Sequence, residues 1–159
     1  MQFLLATPEY NNVQSNTTKV RVHLRSGVAE ILEQHQDLMG KVDNNIVEVE
    51  TNFENKIEKL WFVLQDAVFI VSNEQKEEAG ETGVYIYAKR VQEISKDLTL
   101  ETITKQYEEK VEAFELEKQQ LAEQNIDPLN QSLNAKLFVL KEDVNFLKKV
   151  VSVVKEFKL

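Results

Sequence analysis

Leu133, Leu137, Leu140, Val144, Leu147, Val151 and Val154 recur at alternating steps of four and three. Only an α-helix brings residues so spaced onto one face, and an unbroken run of three heptads needs a second helix to cover it. The preceding Asp127-Pro128 is a start signal, with Asp as N-cap and Pro at the first helical position. A helix is therefore expected over about residues 128–158, roughly 45 Å long at 1.5 Å per residue. A partner helix precedes it over about 99–124. Thr99 is placed to cap it, and Leu100, Ile103, Tyr107, Val111, Phe114 and Leu121 form its apolar stripe. The short connection makes the two helices antiparallel neighbours. Their charges agree with this, because residues 96–124 carry 4 Lys against 8 Asp and Glu, whereas residues 127–159 carry 6 Lys against 4. The later helix has a second stripe, Val139, Phe146, Val150, Val153 and Phe157, that one narrow partner cannot also cover.

Before residue 93 the period is two. Gln2–Thr7 is an apolar run, Thr17–Leu24 alternates through Val20, Val22 and Leu24, Ile46–Thr51 alternates through Ile46/Val47 and Val49, and Gly83–Ala88 closes the set with Val84, Tyr85, Ile86 and Tyr87. Leu60–Leu64 and Ala67–Val71 are two apolar runs whose separator, Gln65-Asp66, reads as a hairpin turn. The polar stretch 73–83 reads as a loop. The expected class is α+β, with an N-terminal antiparallel β-sandwich over 1–92 followed by an antiparallel two-helix hairpin over 93–159.

Composition removes several functions. The formal net charge is −8 and Arg occurs only at 21, 25 and 90, so there is no cationic surface for nucleic acid. Cysteine is absent, and with it disulfides, thiolate nucleophiles and zinc–sulfur sites. Four glycines cannot build a phosphate-cradling loop. His23 and His35 lie twelve apart with no metal-ligand spacing around them, and neither Ser26 nor Ser72 stands in a nucleophile elbow. No run is long enough to span a membrane, and the start is too short for a secretory signal, which suits a cytoplasmic chain. The expectation is a chain without cofactor or catalysis of its own, in which His35 is a turn or contact residue. The run Glu108–Glu123 reads as a solvated helix face.

Four segments then resemble one family. Ala6-Thr7-Pro8-Glu9 is similar to an early Thr-Pro-Glu. Gly27-Val28-Ala29-Glu30-Ile31-Leu32, with His35 and Leu38-Met39, resembles a Gly-x-x-Gly-Ile-Leu-Pro-x-His-x-Pro-Leu-Leu segment. LWFVLQDAVFIV stands where that family has Val-Phe-Ala-Val-Ser-Gly-Gly-Phe, and VYIYAKRVQEISKDL resembles its last strand and acidic lead into the helices. The family is the epsilon subunit of F-type ATP synthases. The resemblance implies a rotor subunit in the central stalk, peripheral at the inner face of the membrane. Its partners would be the gamma subunit, the catalytic alpha/beta hexamer and the membrane ring or a substitute adaptor. It also implies that Glu30, His35, Leu38 and Met39 are partner contacts, with gamma a candidate for Val139, Phe146, Val150, Val153 and Phe157. Lys148, Lys149, Lys155 and Lys158 would then be the basic group through which the hairpin restrains ATP hydrolysis.

The departures are specific. Glu33-Gln34-His35-Gln36-Asp37 lacks both prolines, which predicts a looser loop and a changed partner surface. Gln65-Asp66-Ala67 replaces Ser-Gly-Gly, and with no Arg after Arg90 the family's nucleotide-sensing motif is missing. Two other readings stay open. One is a divergent rotary ATPase attached to another machine, such as a motility apparatus, of the kind found in wall-less bacteria. The other is an unrelated β-sandwich adaptor with a coiled-coil tail.

Overall fold

The structure is a computed structural model that describes residues 1–73, 81–123 and 131–157, apart from the side chains of 131–134. It has two units, Met1–Ser95 and Lys96–Leu159.

The first unit is built from β1 (Gln2–Ala6), β2 (Asn11–Gln14), β3 (Thr17–Leu24), β4 (Gly27–Ile31), β5 (Leu38–Val42), β6 (Asn45–Phe53), β7 (Lys56–Ser72) and β8 (Gly83–Glu93). They follow one path, β2-β1-β8-β7-β6-β3-β4, with β5 added to β7. All pairs are antiparallel except β1 with β8, the first and last strands. The reading of Gln65-Asp66 as a hairpin turn is corrected here, because the two apolar runs are halves of one 17-residue strand. Lys56–Leu64 pairs with β6, whereas Ala67–Val71 pairs with β5, and β8 runs beside both halves. At the changeover Asp66 adopts φ +50°, and its N–H donates to Asp43 Oδ1 at 3.1 Å. The inward positions shift from Leu60, Phe62 and Leu64 to Ala67, Phe69 and Val71, one residue out of step. Such a phase slip bends a strand and increases its twist. A polar pair interrupting an apolar run looks the same in sequence whether the chain reverses or only turns a corner.

The corner folds the sheet into two layers. One holds β4, β3, β6 and the first half of β7; the other holds β5, the second half of β7, β1 and β2, and β8 crosses from the second layer into the first beside β7. Inward side chains from both meet in a single core, in which Phe3 of β1 stacks on Phe62 of β7 with ring centroids 6.3 Å apart. Gly40 is required by this packing, since a Cβ there would lie 2.5 Å from Cε1 of Phe69. The strand reversal between β6 and β7 is made instead by Glu54-Asn55, both at positive φ, the conformation of a two-residue primed turn.

The second unit is an antiparallel hairpin of α1 (Leu100–Glu123) and α2 (Gln131–Phe157). Thr99 caps α1, its Oγ1 accepting the Thr102 N–H at 3.2 Å. Lys110 pairs with Asp143 at 3.4 Å and Glu117 with Lys136 at 3.3 Å; stepping two turns along one helix moves back two turns along the other. Only the second of these bridges runs in the sense of the net charges. The Asp127-Pro128 start signal lies outside the described residues. Burial concentrates in the last turns of α2, where Phe146, Leu147, Val150, Val151, Val153 and Val154 are all covered. Farther back, Leu116, Phe138 and Val139 remain more than half exposed.

Candidate docking face

Strands β1, β7 and β8 contain FLLA, VFIV and VYIY, apolar at both parities. One parity fills the core, so the other must face outward. Register sets these outward residues side by side. Met39 of β5 lies opposite Ile70, Ile70 opposite Tyr85, Tyr85 opposite Leu4, and Leu4 opposite Val13. The result is an apolar row across five strands of one layer. The next row, Val68, Tyr87 and Ala6, widens it and ends on Lys41 and Asn11. The ends of the first row are open, with Met39 71% and Val13 67% exposed, and none of its members is fully buried. A contiguous apolar surface of this kind marks an interaction site. Its rows are predominantly apolar, and it suits a flat apolar protein surface.

The outer face of the other layer is ionic. There the register aligns Glu30, Arg21, Glu48 and Trp61 across four strands. Glu48 gathers the row. Its Oε2 accepts from His23 Nε2 at 2.7 Å and lies 3.5 Å from Arg21, and its Oε1 accepts the Trp61 indole N–H at 3.1 Å. Burial works to raise the Glu48 pKa, but the hydrogen bonds from His23 and Trp61 and the charges of His23 and Arg21 outweigh it. The carboxyl is therefore held below its ordinary value. A lowered carboxyl pKa contributes stability above the unfolded-state value of about 4.3, and that contribution is lost as pH falls through the lowered folded value. Glu48→Gln should consequently cost about 1 kcal/mol near pH 7, after discounting for partial exposure. The gap between variant and parent should close below about pH 4 in urea titrations. A gap that widens on acidification would mean that Glu48 is not the ionised acceptor.

The loop around His35 is braced, contrary to the looseness expected from its missing prolines. Thr82, fully buried, donates its N–H to Glu33 Oε1 at 2.8 Å, and its Oγ1 accepts the Gln34 N–H and donates to Asn73 Oδ1, both at 2.7 Å. That Thr82 N–H is the main cause of a lowered Glu33 pKa. Asn73 in turn binds the Asp37 carboxylate at 3.0 Å and the His35 carbonyl at 2.6 Å. His35 donates its backbone N–H to the Leu32 carbonyl and its Nδ1–H to the Gln36 carbonyl at 2.7 Å. Side-chain hydrogen bonds thus restrain a segment that rigid φ angles could have restrained.

The other residues read from the sequence scatter. Glu30 is exposed beside Arg21, Leu38 is exposed at the start of β5, and Met39 heads the apolar row. On α2, Val139 and Phe157 are exposed, whereas Phe146, Val150 and Val153 are buried in the chain itself. Lys148 and Lys155 line a groove of about 540 Å³ with Tyr107, Val151, Ser152 and Glu156. Lys149 is half-buried, and Lys158 lies outside the described residues. Among the described residues no cluster of His, Asp and Glu is arranged for a metal ion, and no helix is long and apolar enough to cross a membrane.

No protein-family model matches the sequence, and no curated protein matches it. Solved structures do share its fold. A chain of the Euglena gracilis mitochondrial ATP synthase, from the OSCP/F1/c-ring assembly in rotational state 1, is similar over 96% of this chain and 79% of its own. Its TM-score is 0.59 and its identity 12%. A chain from the central stalk and c-ring of the Tetrahymena thermophila mitochondrial ATP synthase aligns over 95% of this chain and 96% of its own, with TM-score 0.48 and identity 12%.

Proposed function

We propose that the chain is a non-catalytic rotor subunit of the epsilon type in the central stalk of an F-type rotary ATPase. The observation that carries this reading is the apolar row on the outer face of the sandwich, in a chain whose two-part fold is shared with a chain of an ATP synthase. A rotor subunit needs a partner that does not dissociate, and long-lived interfaces are more apolar than transient ones. A gamma-like subunit is the partner assigned to this face. The braced loop with Glu30, His35 and Leu38 is assigned to the membrane ring or to an adaptor in its place, and Met39, at the end of the apolar row, lies where the two assigned surfaces meet. Lys148, Lys149 and Lys155 give the hairpin a basic side that suits acidic loops of the catalytic subunits. Each exposed pair of this sort contributes roughly 0–1 kcal/mol, so restraint of hydrolysis would rest on several together and weaken with salt.

Two measurements test the reading. The native complex isolated through a tag on this chain should contain a gamma-like chain and catalytic subunits; their absence would end the proposal. Truncation after Asp97 should raise ATP hydrolysis by the purified complex several-fold. An unchanged rate would remove the restraining role and leave the docking role standing.

A further inference from the structure

Among the described residues β5 pairs only with β7, so the other edge of Leu38–Val42 has no hydrogen-bonded strand, although β3 comes close to β5. Next to it is a cleft of about 380 Å³ with Leu24, Leu38 and Phe69 among its apolar lining and Arg25 and Lys41 at its rim. A second hollow, of about 470 Å³, shares Arg25 and Lys41 and continues to Asp43, Asn44 and Asn45. Three features of this place point the same way. Arg25 and Lys41, like several other surface lysines, have no ion-pair partner among the described residues, but these two lie side by side at one rim. Asp43 does not neutralise them by an ion pair, and its Oδ1 is already occupied by the Asp66 N–H. The Asn44 Oδ1 is buried without a hydrogen-bond partner and could accept a main-chain N–H of a bound segment, though not a carboxylate.

We infer that this cleft receives an extended, acidic segment of a partner protein, added as a strand along the open edge of β5. The edge supplies main-chain donors and acceptors, which give affinity in strand addition, while alternate side chains give specificity. A strand lying there would send every second side chain inward to Leu38 and Leu24 and the others outward to Lys41 and Arg25. The fitting segment therefore alternates apolar and acidic residues. Edge strands are commonly defended by charge, bulges or proline. Here the one charge in β5, Lys41, repels cations but attracts a carboxylate-bearing strand. The cleft shares Leu38 with the surface assigned above to the ring or adaptor, so the inference concerns the isolated chain.

The test titrates the full ¹⁵N-labelled chain with an acetylated hexapeptide of alternating Val and Glu. Amide signals of Leu38–Val42 and Leu24–Ser26 should shift. Binding should weaken roughly tenfold or more when Lys replaces Glu in the peptide, when alternate peptide amides are N-methylated, and in the Arg25→Glu/Lys41→Glu variant. The variant's spectrum reports separately whether it is folded. An N-methylated peptide that binds equally well would overturn strand addition. So would dodecyl phosphate perturbing these residues while the peptide does not, which would make the cleft a site for anionic amphiphiles. Shifts confined to other residues, or none, would also overturn it.

Discussion

Glutamate at both Leu4 and Ile70 is expected to release the chain from its stalk partner while leaving the sandwich folded. These two residues flank Tyr85 in the apolar row, so each charge would fall near the centre of the proposed interface. Neither belongs to the buried core, and both are partly exposed in the chain itself. In the complex they would be desolvated without partners, and truncation or charge at a central contact typically costs 2 kcal/mol or more. Two such sites predict a loss of affinity of about a thousandfold. Co-elution of the partner with tagged chain measures this, and the urea midpoint of the isolated variant checks its fold. Normal co-elution would show that the row is not the docking face.

The second large effect belongs to the core. Phe62 is fully buried and stacked on Phe3, joining the two layers. Phe62→Ala should cost about 3–5 kcal/mol, against roughly 5–15 kcal/mol of stability for a whole domain. At low denaturant the variant should already show a substantial unfolded population or a strongly lowered midpoint. Phe53→Ala is the control, since that ring is mostly exposed at the tip of the β6–β7 hairpin. Equal midpoints for the two variants would contradict the two-layer core.

The fold was largely legible because its signals are local. Thr17–Leu24 alternates without interruption and is β3 to the residue, and the Thr99 cap follows from one hydroxyl just before an amphipathic run. The short strands β2, β4 and β5 were harder, since NNVQ, GVAEI and LMGKV have too few residues to establish a period. The docking face was hidden for a different reason. Apolar residues at both parities read simply as strongly buried strands, and the row exists only because β1 lies parallel to β8, with Leu4 opposite Tyr85 far along the chain. Runs such as VYIY in a sheet with one uncovered side were the available signal. The Glu48 cluster was equally opaque, since His23, Glu48 and Trp61 meet only through the pairing of β3, β6 and β7. Met39 alone among the residues drawn from the resemblance falls on the apolar row, because the others were read from a loop and a helix face.

The corner at Asp66 has a mechanical meaning. In a sandwich of two separate sheets, side-chain packing alone resists sliding of one over the other. Here β7 and β8 pass from one layer to the other, and a ladder of backbone hydrogen bonds runs from β2 to β4 without a gap. A load applied at one edge is carried to the opposite layer along covalent chain and across strands placed in shear, where many hydrogen bonds must fail together. The sandwich is therefore a single creased ribbon, and no plane through it parts the layers without cutting main chain.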